Sequence, residues 1–231
     1  LASLKDAASA VANTLPTPTQ FAARMAALGI SRDDRVVLYD DSAVKTAARA
    51  WFVLRMHGMR EVAILDGGIA RWRAEGRPLE SGEGAVTPIA AQPGPADTRR
   101  VRSKNDMLAN LASRAEQVID ARDPARFAGE TADTVHGLPG GHIPGARNLH
   151  YRDLYRADGT LRGEGELRAA FERAGVDLAR PIVTSCGSGV TASVLLFALH
   201  RLGIENAALY DGSWSEWGAD PATPKETGAA A

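Results

Sequence analysis

The only cysteine of the chain, Cys186, lies in a segment whose residue types and spacing could support sulfur chemistry. A short apolar run precedes it, Gly187 and Gly189 flank Ser188 directly after it, and the pattern predicts a helix over 191–201. A strand, a tight loop and a helix start direct backbone N–H groups towards one point. A thiol at that point lies near the positive end of a helix dipole, which favours the nucleophilic thiolate. We therefore predict that this segment cradles an anion bound to, or formed on, Cys186.

The alternative is structural, because a lone cysteine is often a small hydrophobic residue of the core. A buried cysteine does not require glycines on both sides of a serine directly before a helix. Since glycine permits backbone conformations closed to other residues, the loop favours a nucleophile over a packing residue.

The bulk composition bounds the other possibilities. The 231 residues carry a net charge of −1, which gives no electrostatic basis for binding nucleic acid or an anionic membrane. One cysteine excludes an internal disulfide and a multi-cysteine metal site, and we expect no metal and no cofactor. No apolar run is long enough to cross a bilayer. These features predict a protein of a reducing compartment, the cytoplasm.

The two halves of the chain repeat each other at an offset of 145 residues. The matching pairs include Asp66-Gly67 with Asp211-Gly212, Thr46-Ala47 with Thr191-Ala192, Phe52 with Phe197, Gly58 with Gly203 and Trp72 with Trp217. The chain therefore contains two copies of one α/β unit. At the same offset Cys186 meets Asp41, so we predict one chemical site, in the second copy.

The composition and the repeat together predict the domain ranges. We expect a non-catalytic domain over 1–80, a Gly/Pro/Ala-rich linker over 81–101 and a catalytic domain over 102–231. The second copy opens with a strand near Val118, whose counterpart would precede residue 1, so the first copy is expected to lack its opening strand. Residues 124–139 are predicted to be a polar loop, and the tail from Pro221 is predicted to be disordered.

Three motifs of the chain resemble those of the tandem rhodanese-domain sulfurtransferases. They are the Cys186–Ala192 loop, Gly141-His-Ile-Pro-Gly-Ala146 and Asp211-Gly-Ser-Trp-Ser-Glu-Trp217. The resemblance implies an α/β fold of two tandem rhodanese-like domains, each a parallel sheet with helices on both faces, of which the second is active. It also implies ping-pong sulfur transfer through a Cys186 persulfide. Within the family, the Cys-Gly-Ser-Gly loop is similar to that of 3-mercaptopyruvate sulfurtransferases.

The resemblance also implies which residues form the site. Cys186 and Ser188 are expected to be catalytic, and Arg126 is expected to bind the anionic group of the donor. Gly187, Gly189, Val190 and Thr191 are expected to complete the donor-binding loop. The neutral side chains of this loop favour 3-mercaptopyruvate over the thiosulfate dianion, which gains more from cationic side chains. The expected sulfur acceptor is a thiol, such as thioredoxin, or cyanide.

Two positions depart from the family pattern. Asn13-Thr14-Leu15-Pro16 stands where the family usually has His-Met-Leu-Pro, whose histidine is proposed to handle protons together with a serine and an aspartate. Val135, with His136 next, stands where the family usually has a second substrate arginine.

Several side chains are predicted to be structural rather than catalytic. Asp120 and Arg122 are expected to form an ion pair at a strand end, and Arg49 is expected to cross the domain interface. His142 is expected to order its turn. The tryptophans Trp72, Trp214 and Trp217 are expected to pack in the core or the domain interface.

Three other functions are alternatives to 3-mercaptopyruvate sulfur transfer. A thiosulfate:cyanide sulfurtransferase would use the same cysteine, and a non-enzymatic rhodanese-like module would carry or bind sulfur without turnover. A Cys-x5-Arg phosphatase would need an arginine at position 192, which is Ala192. Cyanolysis assays on each donor distinguish the first two.

Overall fold

The computed structural model describes residues 3–82 and 84–229, which form two α/β units. Residues 1, 2, 83, 230 and 231, which the predicted domain ranges include, lie outside the described residues. Within residues 3–82 and 84–229, no helix has both the length and the apolar character needed to cross a membrane.

The first unit is built around two parallel strands, which pair Val36 with Val62. The strands are β1 (Val36–Leu38) and β2 (Val62–Ile64), and the helices are α1 (Pro18–Ala27), α2 (Thr46–Met56) and α3 (Gly68–Ala74). Helix α1 begins at Pro18, because Thr17 and Gln20 form a reciprocal capping box.

The second unit is a five-stranded parallel sheet, in the order β3-β7-β6-β4-β5. Its strands are β3 (Val101–Arg102), β4 (Gln117–Asp120), β5 (Arg147–Asn148), β6 (Ile182–Ser185) and β7 (Ala207–Tyr210). Its helices are α4 (Lys104–Ser113), α5 (Pro124–Ala128), α6 (Glu164–Arg173), α7 (Ala192–Arg201) and α8 (Ser213–Trp217). All strand pairs within the sheet are parallel, so the carboxyl ends of the strands share one edge.

The repeat maps β1 and β2 onto β6 and β7. In the second unit β4 pairs with the free side of β6, whereas in the described residues no strand occupies that side of β1. Val37 and Tyr39 are correspondingly exposed. Over residues 3–82, the first unit thus has no strand equivalent to β4, as the sequence predicts.

The predicted polar loop over 124–139 is wrong at its start, where residues Pro124–Ala128 form α5. Proline occupies the first turn, where its missing N–H is not needed, and the carboxylate of Asp123 accepts a hydrogen bond from the Arg126 backbone N–H. Gly129 ends the helix at a φ of +79°. Arg126 therefore lies on a helix rather than in a loop.

The prediction of a disordered tail from Pro221 is also wrong for the described residues. The backbones of His142 and Glu226 exchange two hydrogen bonds of 2.8 and 2.9 Å. The indole of Trp217 donates to the Pro224 carbonyl at 2.8 Å, and Thr223 is buried. The tail is ordered because it pairs with a turn that is distant in sequence.

Val101, the last residue of the predicted linker, belongs to strand β3 and pairs with Leu209 of β7. The strand belongs to the five-stranded sheet, so the second unit includes at least this one residue of the range 81–101. The domain ranges themselves stay a prediction.

Helices α2 and α7 pack against each other between the two units. Trp51 of α2 is buried and meets the ring of Phe197 edge-on, with centroids 5.2 Å apart. A cavity of about 520 Å³ lies beside this contact; Trp51 lines it, and Cys186 does not. The packing fixes the first unit against the helix that follows the cysteine loop.

Candidate active site

Cys186 directly follows β6, a central strand of the five-stranded sheet. Every residue of β6 is buried, as its apolar run predicts, and Cys186 itself is only 2% exposed. Helix α7 begins six residues later, at Ala192. The cysteine therefore lies at the carboxyl edge of the sheet, where open α/β folds place their ligand crevice.

The carbonyl groups of Cys186 and Gly187 accept hydrogen bonds from residues of α8. The Trp214 N–H donates to the Cys186 carbonyl at 2.9 Å, and the Ser215 N–H and Oγ both donate to the Gly187 carbonyl at 2.8 Å. These contacts fix the loop with its carbonyls turned towards the protein.

The N–H groups of residues 187–191, unlike the carbonyl groups of Cys186 and Gly187, have no hydrogen-bond partner within residues 3–82 and 84–229. Gly189 reaches this geometry with a φ of +77°, and a Cβ there would stand 3.2 Å from the Asp211 carbonyl oxygen. Val190 and Thr191 are half-buried. The N–H groups of residues 187–191 are therefore available to a ligand of the loop.

Ser188 is bound by the first unit. The side-chain Nδ2 of Asn13 donates to Ser188 Oγ at 3.0 Å, and Ser188 is largely buried. Asn13 adopts a φ of +58°, a left-handed conformation that asparagine tolerates better than most residues. Because the hydroxyl oxygen accepts from Asn13, its own proton is free to be donated elsewhere.

The segment that carries Asn13 is held by a buried ion pair between the two units. Arg49 Nη2 lies 2.7 Å from Asp211 Oδ1 and donates to the Asn13 carbonyl at 2.6 Å. Asp211 Oδ2 accepts from the Leu15 N–H at 2.8 Å. The prediction that Arg49 crosses the interface is confirmed, and the contact positions the partner of Ser188.

The predicted ion pair between Asp120 and Arg122 is confirmed. Arg122 Nη2 lies 2.7 Å from Asp120 Oδ2, donates to the Gly141 carbonyl at 2.6 Å, and the guanidinium stacks over Trp214. Burial opposes the charge of Arg122, but Asp120, Asp133 and Cys186 outweigh it and raise the pKa of the guanidinium. The pair stays charged next to the cysteine loop.

Arg126 lies at the same edge of the sheet, with its side chain 23% exposed. Its Nε contacts Asp123 and its Nη1 lies 3.3 Å from Asp133 Oδ1. Burial would lower the pKa of Arg126, but these two carboxylates raise it above its ordinary value. Those contacts use Nε and Nη1, which leaves Nη2 as the nitrogen that could reach a donor.

The sequence did not assign Asp133 and His136 to the site. His136 Nδ1 lies 2.9 Å from Asp133 Oδ1, and a Cβ on Gly187 would stand 2.1 Å from His136 Cε1. The imidazole therefore lies directly against the cysteine loop. In the sequence, the only indication of this position was the neighbouring Val135, which stands where the family usually has an arginine. Val135 itself is 75% exposed.

The other side chains with predicted structural roles are placed as follows. His142 is buried, stacks on Phe127 and shares a 2.9 Å hydrogen bond with its carbonyl, so its role in the turn is confirmed. Trp214 and Trp217 are buried in the second unit, whereas Trp72 is half-buried and donates to the Pro78 carbonyl.

The chain matches the family model described as a rhodanese-like domain over residues 6–75 and 103–220. It is 42% identical over 224 residues to the 3-mercaptopyruvate sulfurtransferase of Escherichia coli K12, covering 96% of this chain and 79% of that protein. It is 35% identical to the mitochondrial thiosulfate/3-mercaptopyruvate sulfurtransferase 1 of Arabidopsis thaliana, covering 97% of this chain and 64% of that protein.

Solved structures show the same similarity. The crystal structure of the 3-mercaptopyruvate sulfurtransferase SseA from Escherichia coli matches with a TM-score of 0.81 and 39% identity, covering 91% of this chain and 78% of that one. The crystal structure of YnjE matches with a TM-score of 0.86 and 27% identity, covering 98% of this chain and 56% of that one.

Proposed function

The chain belongs to the rhodanese-like domain family, with two matching segments, and from that membership we propose that it is a sulfurtransferase acting on 3-mercaptopyruvate. Cys186 takes the sulfur as a persulfide and passes it to a thiol or to cyanide. The second unit carries the chemistry, and the first unit supports its loop.

The arrangement of the cysteine loop carries this proposal. Its N–H groups, over residues 187–191, are unpaired within the described chain, while the carbonyls of Cys186 and Gly187 are engaged behind it. Donors fixed in advance around a nucleophile stabilise charge that develops on the atoms bound there. The outer sulfur of a Cys186 persulfide carries such a charge. A cysteine that only packed in the core would not require these unpaired donors.

The first half-reaction forms a sulfur–sulfur bond. The Cys186 thiolate attacks the sulfur of 3-mercaptopyruvate, the carbon–sulfur bond breaks, and its electron pair remains on carbon as the enolate of pyruvate. The enolate takes up the proton that the donor's thiol group releases, giving pyruvate and an ionised persulfide. In the second half-reaction an acceptor thiolate or cyanide attacks the outer sulfur, and Cys186 leaves as the thiolate.

Ser188 supports the step in which the enolate forms. Its oxygen accepts from Asn13 Nδ2, so its proton can be donated to the ketone oxygen of the donor as negative charge develops there. Asn13 carries no basic group, so it fixes the direction of this donor and does not take up a proton itself.

Thiosulfate is the second candidate donor, because the Arabidopsis thaliana relative is named for both compounds. The loop side chains Ser188, Val190 and Thr191 are neutral, so the cradle provides no additional cation for a dianion. The proposed acceptor is a thiol, such as that of thioredoxin, or cyanide, since either can attack the outer sulfur of a persulfide. The proposed location is a reducing compartment, the cytoplasm, which the single cysteine favours.

The experiment is a comparison of kcat/KM for 3-mercaptopyruvate and thiosulfate on one sample, with cyanide as the common acceptor. We expect 3-mercaptopyruvate to have the higher value. A higher value for thiosulfate would overturn the donor assignment and leave the sulfurtransferase. Absence of turnover with both donors would overturn the sulfurtransferase as well.

A further inference from the structure

His136 is the titratable side chain that lies against the cysteine loop without a role in the reaction described above. Its ring approaches Gly187 so closely that a Cβ there would stand 2.1, 2.8 and 3.0 Å from Cε1, Nδ1 and Nε2. The side chain is 13% exposed. A histidine packed on the residue after Cys186 lies within reach of a donor bound in that loop.

A fully buried carboxylate fixes the orientation of the imidazole. Asp133 Oδ1 lies 2.9 Å from His136 Nδ1 and 3.3 Å from Arg126 Nη1, and Oδ2 lies 3.8 Å from Arg122 Nη1. Burial alone would raise the pKa of Asp133, but the hydrogen bond and charge of His136 and the two arginines hold it below its ordinary value. Asp133 is therefore an anion that can accept the Nδ1 proton of His136, which leaves Nε2 as the nitrogen that can face a donor.

A proton on His136 adds positive charge at an edge of the sheet where carboxylates outnumber guanidinium groups. A second histidine, His150, interacts with Asp123 and Arg126 there, and burial lowers its pKa. Two guanidinium groups face three carboxylates here: Arg122 and Arg126 against Asp120, Asp123 and Asp133. On the Gly189 side, Arg49 and Asp211 neutralise each other, and the thiolate of Cys186 adds a further negative charge. One more positive charge offsets the excess of carboxylates at the point where a negatively charged donor must enter.

We propose that His136 is a donor-binding residue, whose imidazolium acts beside Arg126 on the carboxylate or sulfonate-like group of the sulfur donor. The proposal rests on the proposed function. When Nε2 carries a proton, it donates a charge-assisted hydrogen bond to that group. When Nε2 loses the proton, its lone pair faces the donor's oxygens and the attraction becomes repulsion.

The sign of the pH dependence follows from this. Donor affinity is highest while His136 is protonated and falls as the pH rises through its titration. Formation of the Cys186 thiolate has the opposite dependence, so kcat/KM should pass through a maximum. Donor affinity must therefore be measured in a variant whose side chain at position 186 does not ionise.

Thiosulfate binding to a Cys186→Ser variant separates the two effects, since this variant cannot form the persulfide and thiosulfate stays a dianion throughout. We expect its Kd, measured by calorimetry, to rise about tenfold from about pH 5 to about pH 8. Adding His136→Gln, which keeps a hydrogen-bonding side chain, should weaken binding at low pH and make Kd independent of pH. Adding His136→Arg should give tight binding at all pH values.

Three control variants in the Cys186→Ser background distinguish His136 from its surroundings. Val135→Ala changes the exposed neighbour on the same loop, and His200→Gln removes a remote histidine paired with Glu205. Both should leave the pH dependence unchanged. Arg126→Gln should weaken binding at every pH and retain the dependence, because it removes a permanent charge.

KM for thiosulfate in proteins that retain Cys186 provides the second readout, for wild type and His136→Gln. The proposal would be overturned by a Kd whose pH dependence persists in full after His136→Gln in the Cys186→Ser background, or by equal KM values for wild type and His136→Gln at low pH. Either result leaves turnover intact, whereas failure of the proposed function would abolish turnover in the wild type with both donors.

Discussion

At the scale of single residues, the site depends on how one hydroxyl group is oriented. Ser188 Oγ accepts from the amide of Asn13, which reaches it across the interface between the two units. An amide can fix the direction of a hydroxyl proton, but it cannot take up that proton. In the proposed reaction, Asn13 therefore leaves the Ser188 proton available to the substrate oxygen.

We expect Asn13→Ala to lower kcat with 3-mercaptopyruvate by about tenfold, because the Ser188 proton is no longer directed at the developing enolate. The effect with thiosulfate should be smaller, since sulfite leaves without forming an enolate. Ser188→Ala should reproduce the same selectivity for one donor. Steady-state kinetics with both donors checks this, and equal losses with both would show that Asn13 only holds the loop.

A second residue-scale effect concerns His57, at the end of α2. Burial, followed by the charge of Arg32, lowers the pKa of this imidazole to about 4. Because the folded state binds the proton less readily than the unfolded state, His57 favours folding fully above about pH 6.5 and loses that contribution as the pH falls towards 4. The loss amounts to about 3 kcal/mol.

We expect His57→Phe to remove most of this acid sensitivity, since phenylalanine can keep the stacking on Phe21, whose ring lies 4.0 Å from the imidazole. The free energy of unfolding, from urea titrations at about pH 7 and about pH 5, gives the comparison. His200→Gln, which changes a half-buried histidine far from His57 in the chain, is the control. An equal drop in stability for wild type and His57→Phe would contradict the assignment.

At the scale of elements, the loop between β6 and α7 requires a left-handed residue. Gly189→Ala places a Cβ at a φ of +77° and 3.2 Å from the Asp211 carbonyl oxygen. We expect a loss of about 1–3 kcal/mol in the free energy of unfolding, with kcat reduced because the N–H groups shift. Gly165→Ala, within α6 and with no atom near its Cβ, should instead be stabilising or neutral. Equal stability of the two variants in chemical denaturation would count against this account.

The sequence predicted those elements whose cause is local. An apolar run before Cys186 and helical periodicity after it were sufficient to predict β6 and α7. Helix α5 was missed because five residues carry too little periodicity, although Pro124 and its Asp123 cap were visible. The tail was missed because its order comes from backbone pairing with His142, a contact between distant residues.

For the candidate site, too, the sequence indicated the residues that form a local pattern and missed those that only long-range contacts bring to it. Cys186, Ser188 and the glycines belong to one contiguous loop, which is a local pattern. His136 and Asp133 join the site through a close approach to Gly187 and through contacts shared with Arg126. Neither spacing nor composition encodes that approach, so only the folded chain reveals these two residues.

At the scale of the whole molecule, the two units cooperate through one buried ion pair. Arg49 binds Asp211 and the Asn13 carbonyl, and its guanidinium lies 3.0 Å from where a Cβ on Gly189 would stand. The unit without a cysteine thus carries the segment whose Asn13 side chain binds Ser188.

We expect Arg49→Met to cost about 3 kcal/mol of unfolding free energy, because it leaves Asp211 without its buried partner. It should also reduce kcat with 3-mercaptopyruvate, as Asn13 loses its anchor. Arg55→Met on the same helix changes an exposed contact and should stay within about 0.5 kcal/mol of the wild type. If Arg49→Met kept full activity in the folded protein, the interface would have no catalytic role.

The central claim is that the Cys186 thiolate accepts the donor's sulfur, and intact mass spectrometry tests it most directly. After brief incubation with 3-mercaptopyruvate and no acceptor, we predict a gain of one sulfur atom, mapped to Cys186 and removed by cyanide. Cys186→Ser, which keeps a hydroxyl of similar size in the same loop, should gain none. Turnover without a sulfur adduct on Cys186, or continued sulfur transfer in the Cys186→Ser protein, would contradict the account.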